Sequence, residues 1–330
     1  MFHLFYPRPN PSSQADPLPT AEDDDTRKAP YFPDDDLKSA VNVALLLGRP
    51  LLVTGEPGVG KTRLAYHIAQ ELTPGSEPLR FDVKSITKAS DLFYQYDHLA
   101  AFRDNHTGKK EDHSHYLHFN ALGTAILLAC SKEIANQWWN KKINGEWDGP
   151  RRSVVLIDEI DKAPRDVPND MLNEIDNFSF KIAEAEFSEI EADSKYRPIT
   201  ILTSNSEKPL PEPFLRRCVY HHIAFPTSEK LANIIQSRFP EYNPNLKWMT
   251  QAIQLFLKLR EPASGLRKIP GTAELLEWLR VLQHVQWEND GHLQSQETLV
   301  KHSMGAIVKT REDQALVSEL LEQWIKELHT

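Results

Sequence analysis

Eight consecutive residues constrain this chain more than any other feature: Gly55-Glu56-Pro57-Gly58-Val59-Gly60-Lys61-Thr62. They have the spacing G-x-x-x-x-G-K-[ST]. The glycines let the backbone turn tightly enough to aim successive N–H groups at one point. A short apolar run, Leu51-Leu52-Val53-Thr54, precedes the loop. A helical pattern from Lys61 to about Leu72 follows it, stopped by Pro74-Gly75. Strand, glycine loop and helix N-terminus together make a phosphate cradle, because the first free N–H groups of the helix and its dipole attract anions. In such a cradle Lys61 reaches the β- and γ-phosphates of a nucleotide, and the Thr62 hydroxyl sits on Mg²⁺.

Other segments fit a strand–helix alternation around that loop. Leu79–Val83, Ser153–Ile157 and Ile199–Thr203 are short and apolar, and helical patterns run from Leu37 to Leu47 and from Asp166 to Asn177. This is the pattern of a parallel sheet covered by helices. Val154-Val155-Leu156-Ile157 ends in Asp158-Glu159. Asp158 is suited to hold Mg²⁺ and Glu159 to polarise an attacking water, if their strand lies beside the loop strand. Ile199–Thr203 ends in Ser204-Asn205, and Asn205 is suited to orient that water. Phe214-Leu215-Arg216-Arg217 follows, and an arginine given to a neighbouring subunit would neutralise transition-state charge.

Composition sets the wider limits. The chain has 330 residues, 40 % hydrophobic and 26 % charged, enough for about two units with cores of their own. No apolar run approaches the roughly 20 residues that span a bilayer. The balance of 38 basic against 47 acidic residues gives a net charge of −9. That excludes a surface built throughout for nucleic acid or anionic membrane. Two cysteines, Cys130 and Cys218, cannot form a disulfide framework and suit a reducing compartment. The first residues lack the basic start and apolar core of a secretory signal, so a cytoplasmic location is expected. Seven of the 23 prolines precede Asp34, beside the acidic run Asp23–Asp25. Residues 1–32 are therefore expected to be an extended or disordered tail.

In order, these motifs resemble those of the AAA+ ATPases, and more narrowly the MoxR-like, dynein-related branch. The phrases Leu51–Gly58, Asp158-Glu159-Ile160-Asp161-Lys162-Ala163-Pro164-Arg165 and Phe214–Cys218 carry the likeness, which covers about residues 33–290. The resemblance implies an α/β domain at 33–226, with a parallel P-loop sheet flanked by helices, and a smaller all-α lid at 227–330. It implies a helix insert at about 85–120 and a pre-sensor hairpin at about 180–197 carrying Phe187 and Ile190. Gly55–Thr62 would be the Walker A loop, with Glu56, Pro57, Gly58, Val59, Gly60 and Lys61 on ATP; Asp158 and Glu159 would be Walker B, Asn205 sensor 1, and Arg216 or Arg217 the arginine finger. Thr62 and Asp158 would hold Mg²⁺. One departure stands out: Gly271 occupies the place of the branch's sensor 2 arginine, leaving Arg267 or Lys268 to substitute.

The function implied is ATP hydrolysis by a homo-oligomeric ring, typically a hexamer, that remodels a partner protein. In this branch such partners often bear von Willebrand factor A domains. A nucleic-acid motor is the alternative, with Lys84, Lys88, Lys109 and Lys110 lining a pore; the acidic net charge weighs against it. A slow nucleotide-state switch is a third reading. His106, His113, His115 and His118 read as a solvated loop of the insert, and Trp138-Trp139 as a helix end packed on the sheet.

Overall fold

The computed structural model describes residues 30–107, 112–139, 147–239, 247–284 and 297–328. The expected tail falls almost wholly on residues 1–29, outside this range, as do Lys109 and Lys110. Two units emerge, one of Pro33–Glu56 with Gly60–Phe225 and the other of Pro226–Thr330 with Pro57–Val59.

The first unit is built on five parallel strands: β1 (Leu51–Gly55), β2 (Leu79–Asp82), β5 (Val154–Asp158), β8 (Ile199–Ser204) and β9 (Val219–Ile223). Their order is β2-β5-β8-β1-β9. Leu51 pairs with Ile201 on one side and Val219 on the other, and Leu156 also pairs with Ile201. β1 and β5 are buried along their whole length, which is why they read as unbroken apolar runs. The condition set on Asp158 and Glu159 is not met as stated: β5 does not lie beside the loop strand, because β8 is inserted between them. β9 is an edge strand that sequence patterning missed, since Tyr220, His221 and His222 interrupt its apolar residues.

Helix α1 (Asp35–Leu47) starts where Asp34 accepts the Leu37 N–H at 2.8 Å. α2 (Lys61–Leu72) follows the glycine loop. After β2 comes a two-strand ribbon, β3 (Tyr94–Tyr96) with β4 (Leu117–Phe119), and α3 (His98–Thr107) falls between its strands in sequence. α4 (Ala121–Leu128) is nearly all buried against the sheet. It packs so closely that a Cβ on Gly123 would stand 2.0 Å from the Phe93 carbonyl oxygen. α5 (Lys132–Trp138) buries Trp138. The single helix expected over 166–177 is two short ones, α6 (Val167–Asp170) and α7 (Leu172–Asn177), broken at Met171 where ψ is −3°. β6 (Ser179–Ile182) and β7 (Ser188–Glu191) pair antiparallel. Of the two residues marked for the pre-sensor hairpin, Phe187 is exposed but Ile190 is fully buried. α8 (Glu212–Leu215) precedes β9. Burial pushes both thiols, Cys130 and Cys218, up to about 12, so neither is a nucleophile at neutral pH.

The second unit is helical: α9 (Ser228–Arg238), α10 (Lys247–Leu259), α11 (Thr272–His284), α12 (Glu297–Ser303) and α13 (Arg311–Leu328). Trp278 is fully buried at its centre and donates through Nε1 to Ser303 Oγ at 2.8 Å. No helix among the described residues is long and apolar enough to cross a membrane.

Candidate active site

Parallel strands bring the ends of β1, β5 and β8 to one edge of the sheet, where their loops carry the predicted polar residues. Gly60 caps α2 at φ +96°, a conformation that a Cβ would strain. Lys61 is buried, and its Nζ donates to the carbonyls of Gly55 at 2.8 Å and Glu56 at 3.0 Å. Phosphate oxygens would compete with these carbonyls for the Lys61 N–H donors. Burial holds the Lys61 ammonium below the ordinary lysine range, against the opposing pull of Asp158 and then Asp161, Glu159 and Glu56.

Asp158 closes β5 and is buried. Its carboxylate accepts from Thr62 Oγ1 at 3.1 and 3.2 Å, from Thr203 Oγ1 at 2.5 Å and from the Arg80 guanidinium at 3.0 Å. Thr62 and Asp158 thus meet across the intervening β8. They supply hard oxygen donors at one point, the set that suits Mg²⁺. Glu159 stands in the left-handed region at φ 60°, ψ 51°, which turns its side chain off the strand line. Asn205 Nδ2 donates to Glu159 Oε1 at 3.0 Å, so those two predicted residues are in contact.

Asp161 sits beneath them and is only 2 % exposed. Its Oδ1 accepts the Asn205 N–H at 3.3 Å and its Oδ2 the Glu207 N–H at 3.0 Å. That carboxylate therefore sets the course of the loop bearing Asn205. At the opposite edge of the sheet, before β9, Arg217 Nε pairs with Asp176 Oδ2 at 2.7 Å and Arg216 Nη2 with Glu212 Oε1 at 2.6 Å. In the second unit, buried Asp313 accepts the backbone N–H groups of Arg267 at 2.9 Å and Lys268 at 3.2 Å. The Arg267 N–H bond first of all holds the Asp313 carboxyl below the usual carboxylate range. Gly271 takes the N-cap place of α11, where its N–H reaches Glu274 Oε2 at 3.1 Å. A Cβ there would stand 2.6 Å from the Pro57 carbonyl oxygen, so an arginine at this position would clash with backbone.

The family model of ATPases associated with various cellular activities (AAA) matches residues 51–227, just over half of the chain. The chain belongs to the AAA family of ATPases. Three solved structures of point variants of RuvB from Thermotoga maritima resemble this AAA protein at 18 % identity, with TM-scores of 0.41, 0.41 and 0.42. The matches cover 82 % of this chain and 66 %, 67 % and 66 % of those chains, so it spans about two thirds of their length. No curated protein matches the sequence.

Three residues of this AAA domain escaped sequence reasoning. Arg80 on β2 pairs with Asp158 and with Asp82 at 2.7 Å. Thr203 accepts the Glu159 N–H at 2.9 Å while donating to Asp158. Asp161 lies inside the quoted phrase at 158–165 but drew no role. Its signal was an acid only three residues past Asp158, directly after the apolar Ile160.

Proposed function

We propose that this AAA protein is a MoxR-like ring ATPase that couples ATP hydrolysis to remodelling of a partner protein. The observation that carries the reading is the contact set at the strand ends: Thr62 with Asp158, and Glu159 with Asn205. Gly55–Lys61 would wrap the phosphates, with Lys61 turning from the loop carbonyls to the phosphate oxygens. Thr62 and Asp158 would hold Mg²⁺, which when bound neutralises charge on the β- and γ-phosphates. Glu159 takes the proton of the attacking water and Asn205 holds that carboxylate in line. A ring, hexameric in this reading, lets Arg217 or Arg216 of one copy reach the γ-phosphate in the next. The nucleotide-binding domain is taken as 33–226 and the helical lid as 227–330, with Arg267 or Lys268 serving as sensor 2. The setting is cytoplasmic.

Exposed apolar side chains support the remodelling half of the proposal. Phe187 at the hairpin turn is 68 % exposed, and Leu99 and Phe102 on α3 are 75 % and 62 % exposed. Large apolar side chains left exposed suit transient grip on another protein. The ribbon and hairpin are joined: Tyr94 donates to Glu184 Oε2 at 3.0 Å, and Phe93 stacks on Phe180 at 5.2 Å. A partner with a von Willebrand factor A domain is the candidate that the branch suggests.

The test is capture with Glu159→Gln, loaded with ATP and Mg²⁺, beside Lys61→Ala. Glu159→Gln should bind ATP and hydrolyse it about 100-fold more slowly or worse, the scale of a lost general base. Nuclease-resistant recovery of a protein held only by the ATP-bound form supports the remodeller. Nuclease-sensitive recovery of DNA or RNA replaces it with a nucleic-acid motor.

A further inference from the structure

A cavity of about 270 Å³ lies at the edge of the sheet opposite the phosphate loop. The first residues of β1 and β8 line it, which places it at the N-terminal ends of the strands. Sheets of this kind hold their usual ligands at the C-terminal ends, so the cavity is separate from the site described above. Three arginines line it: Arg49, Arg152 and Arg197. Each stands two residues ahead of a strand, β1, β5 and β8 in turn, and those strands are neighbours in the order β5-β8-β1. Val154 pairs with Ile199, and the Ile199 N–H donates to the Ser153 carbonyl at 2.9 Å. The segments that bear Arg152 and Arg197 therefore enter the sheet side by side, at the strand spacing of about 5 Å. Arg49-Pro50 and Arg197-Pro198 repeat one device, since a proline holds the residue before it in extended backbone.

None of these arginines pairs with a carboxylate among the described residues. Arg49 Nη1 donates to the Arg216 carbonyl at 3.5 Å, Arg152 Nη2 donates to the Lys195 carbonyl at 3.1 Å, and Arg197 lies over the Phe178 ring at 5.6 Å. A guanidinium carries five N–H donors in a planar fork, so most of theirs are left over. No Asp or Glu is among the described residues that line the cavity, although acids outnumber bases in the chain by 47 to 38. Thr200 lines it too; it is 2 % exposed, and its hydroxyl has no hydrogen-bond partner among the described residues. A buried donor left in that state costs free energy that a ligand would offset. One carboxylate occupies one fork, whereas a phosphate group carries up to two charges and three acceptor oxygens and can engage several. Leu45 and Ile68 add an apolar wall. We propose that this cavity is a second ligand site, for a small phosphate-bearing molecule whose phosphate sits among the three arginines.

The experiment is equilibrium dialysis of radiolabelled pyrophosphate against the full chain, with the phosphate loop filled by saturating ADP and Mg²⁺. Wild type should bind one further pyrophosphate per chain, saturably. Arg49→Gln, Arg152→Gln and Arg197→Gln should each weaken that binding about fivefold or more, because each removes a charge-assisted fork. Arg152→Lys keeps the charge without the fork and should fall between Arg152→Gln and wild type. Arg151, next in sequence, does not line the cavity and pairs with Asp148 at 3.9 Å, so Arg151→Gln should bind as wild type does. ADP affinity should stay within about twofold throughout, which shows that the variants are folded. Where a Gln variant loses ADP as well, its Lys counterpart decides. Absence of a second pyrophosphate on wild type overturns the site, and so do equal losses in Arg151→Gln and the three lining variants. Saturable binding of citrate without binding of pyrophosphate also overturns it, because the arginines would then select carboxylates.

Discussion

Thr203 Oγ1 donates to Asp158 Oδ1 at 2.5 Å, and the same oxygen accepts the N–H of Glu159 at 2.9 Å. One fully buried hydroxyl on β8 thereby fixes both acids at the end of β5. Replacing it with Val keeps the shape but leaves the Glu159 N–H without that partner. Thr203→Val should cost about 1–3 kcal/mol, the scale of a buried unsatisfied donor, while Thr203→Ser should cost about 1 kcal/mol or less. Thermal unfolding checks the ranking. Hydrolysis should fall with Val and be retained largely with Ser, since the serine hydroxyl can make both bonds.

Asp161 acts one shell further out. It holds two loop N–H groups with two oxygens. Asp161→Asn replaces one acceptor by an NH₂ that faces a donor. The loop should shift, misplacing Asn205 against Glu159. We expect kcat to fall about 10-fold or more while nucleotide affinity stays within about threefold, because the phosphate loop proposed at Gly55–Lys61 is a separate segment. Equal losses in binding and turnover would mean that the whole site had collapsed.

How much of this was legible in the sequence follows from what each feature depends on. β1, β5 and β8 were legible because strands buried on both faces need continuous apolar residues. β9 was not, because Tyr220, His221 and His222 interrupt its apolar residues, which an edge strand tolerates. β3 and β4 are three residues each and pair only with one another, too short for any period to register. The residues of the phosphate loop are local in sequence, so their chemistry could be read directly. Thr203 and Arg80 act only because β8 and β2 flank β5, and sheet order leaves no local trace. For the same reason the neighbours of β5 could be set only as a condition.

The depressed Lys61 ammonium gives a pH signature. Its folded pKa lies below the ordinary 10.5, with burial as the leading cause. Below the folded value both states carry the proton, and burying the charge costs stability. As pH rises from the folded value through 10.5 the folded state sheds its proton first, and that cost is relieved. Wild type should therefore gain stability relative to Lys61→Met as pH approaches 10.5 from the neutral side. Paired thermal melts across that window read the difference. A flat difference would mean that Lys61 titrates alike in both states. Separately, Lys61→Met should bind ATP about 100-fold more weakly or worse, since charge-assisted phosphate contacts are the strong ones.

Arg216 and Arg217 differ in what restrains them. Arg216 pairs with Glu212 one helical turn away, both side chains 75 % exposed, an arrangement that contributes little to stability. Arg217 is drawn by Asp176 on α7 and by the Pro213 carbonyl into a more fixed pose. A finger must reach a neighbour's γ-phosphate in a defined geometry, which favours Arg217. Arg217→Ala should lower kcat about 1,000-fold, the low end for a lost arginine finger, with nucleotide affinity in its own site nearly unchanged. Arg216→Ala should lose about threefold or less. Mixing decides where the residue acts. An Arg217→Ala copy keeps Glu159 intact, and a Glu159→Gln copy keeps Arg217 intact. At an interface where the second copy's Arg217 faces the first copy's site, every catalytic group is present. Activity should therefore return on mixing two inactive variants, in proportion to the fraction of such interfaces. If mixing restores nothing while each variant still assembles, Arg217 serves its own subunit, and its bond to Asp176 is the contact that matters.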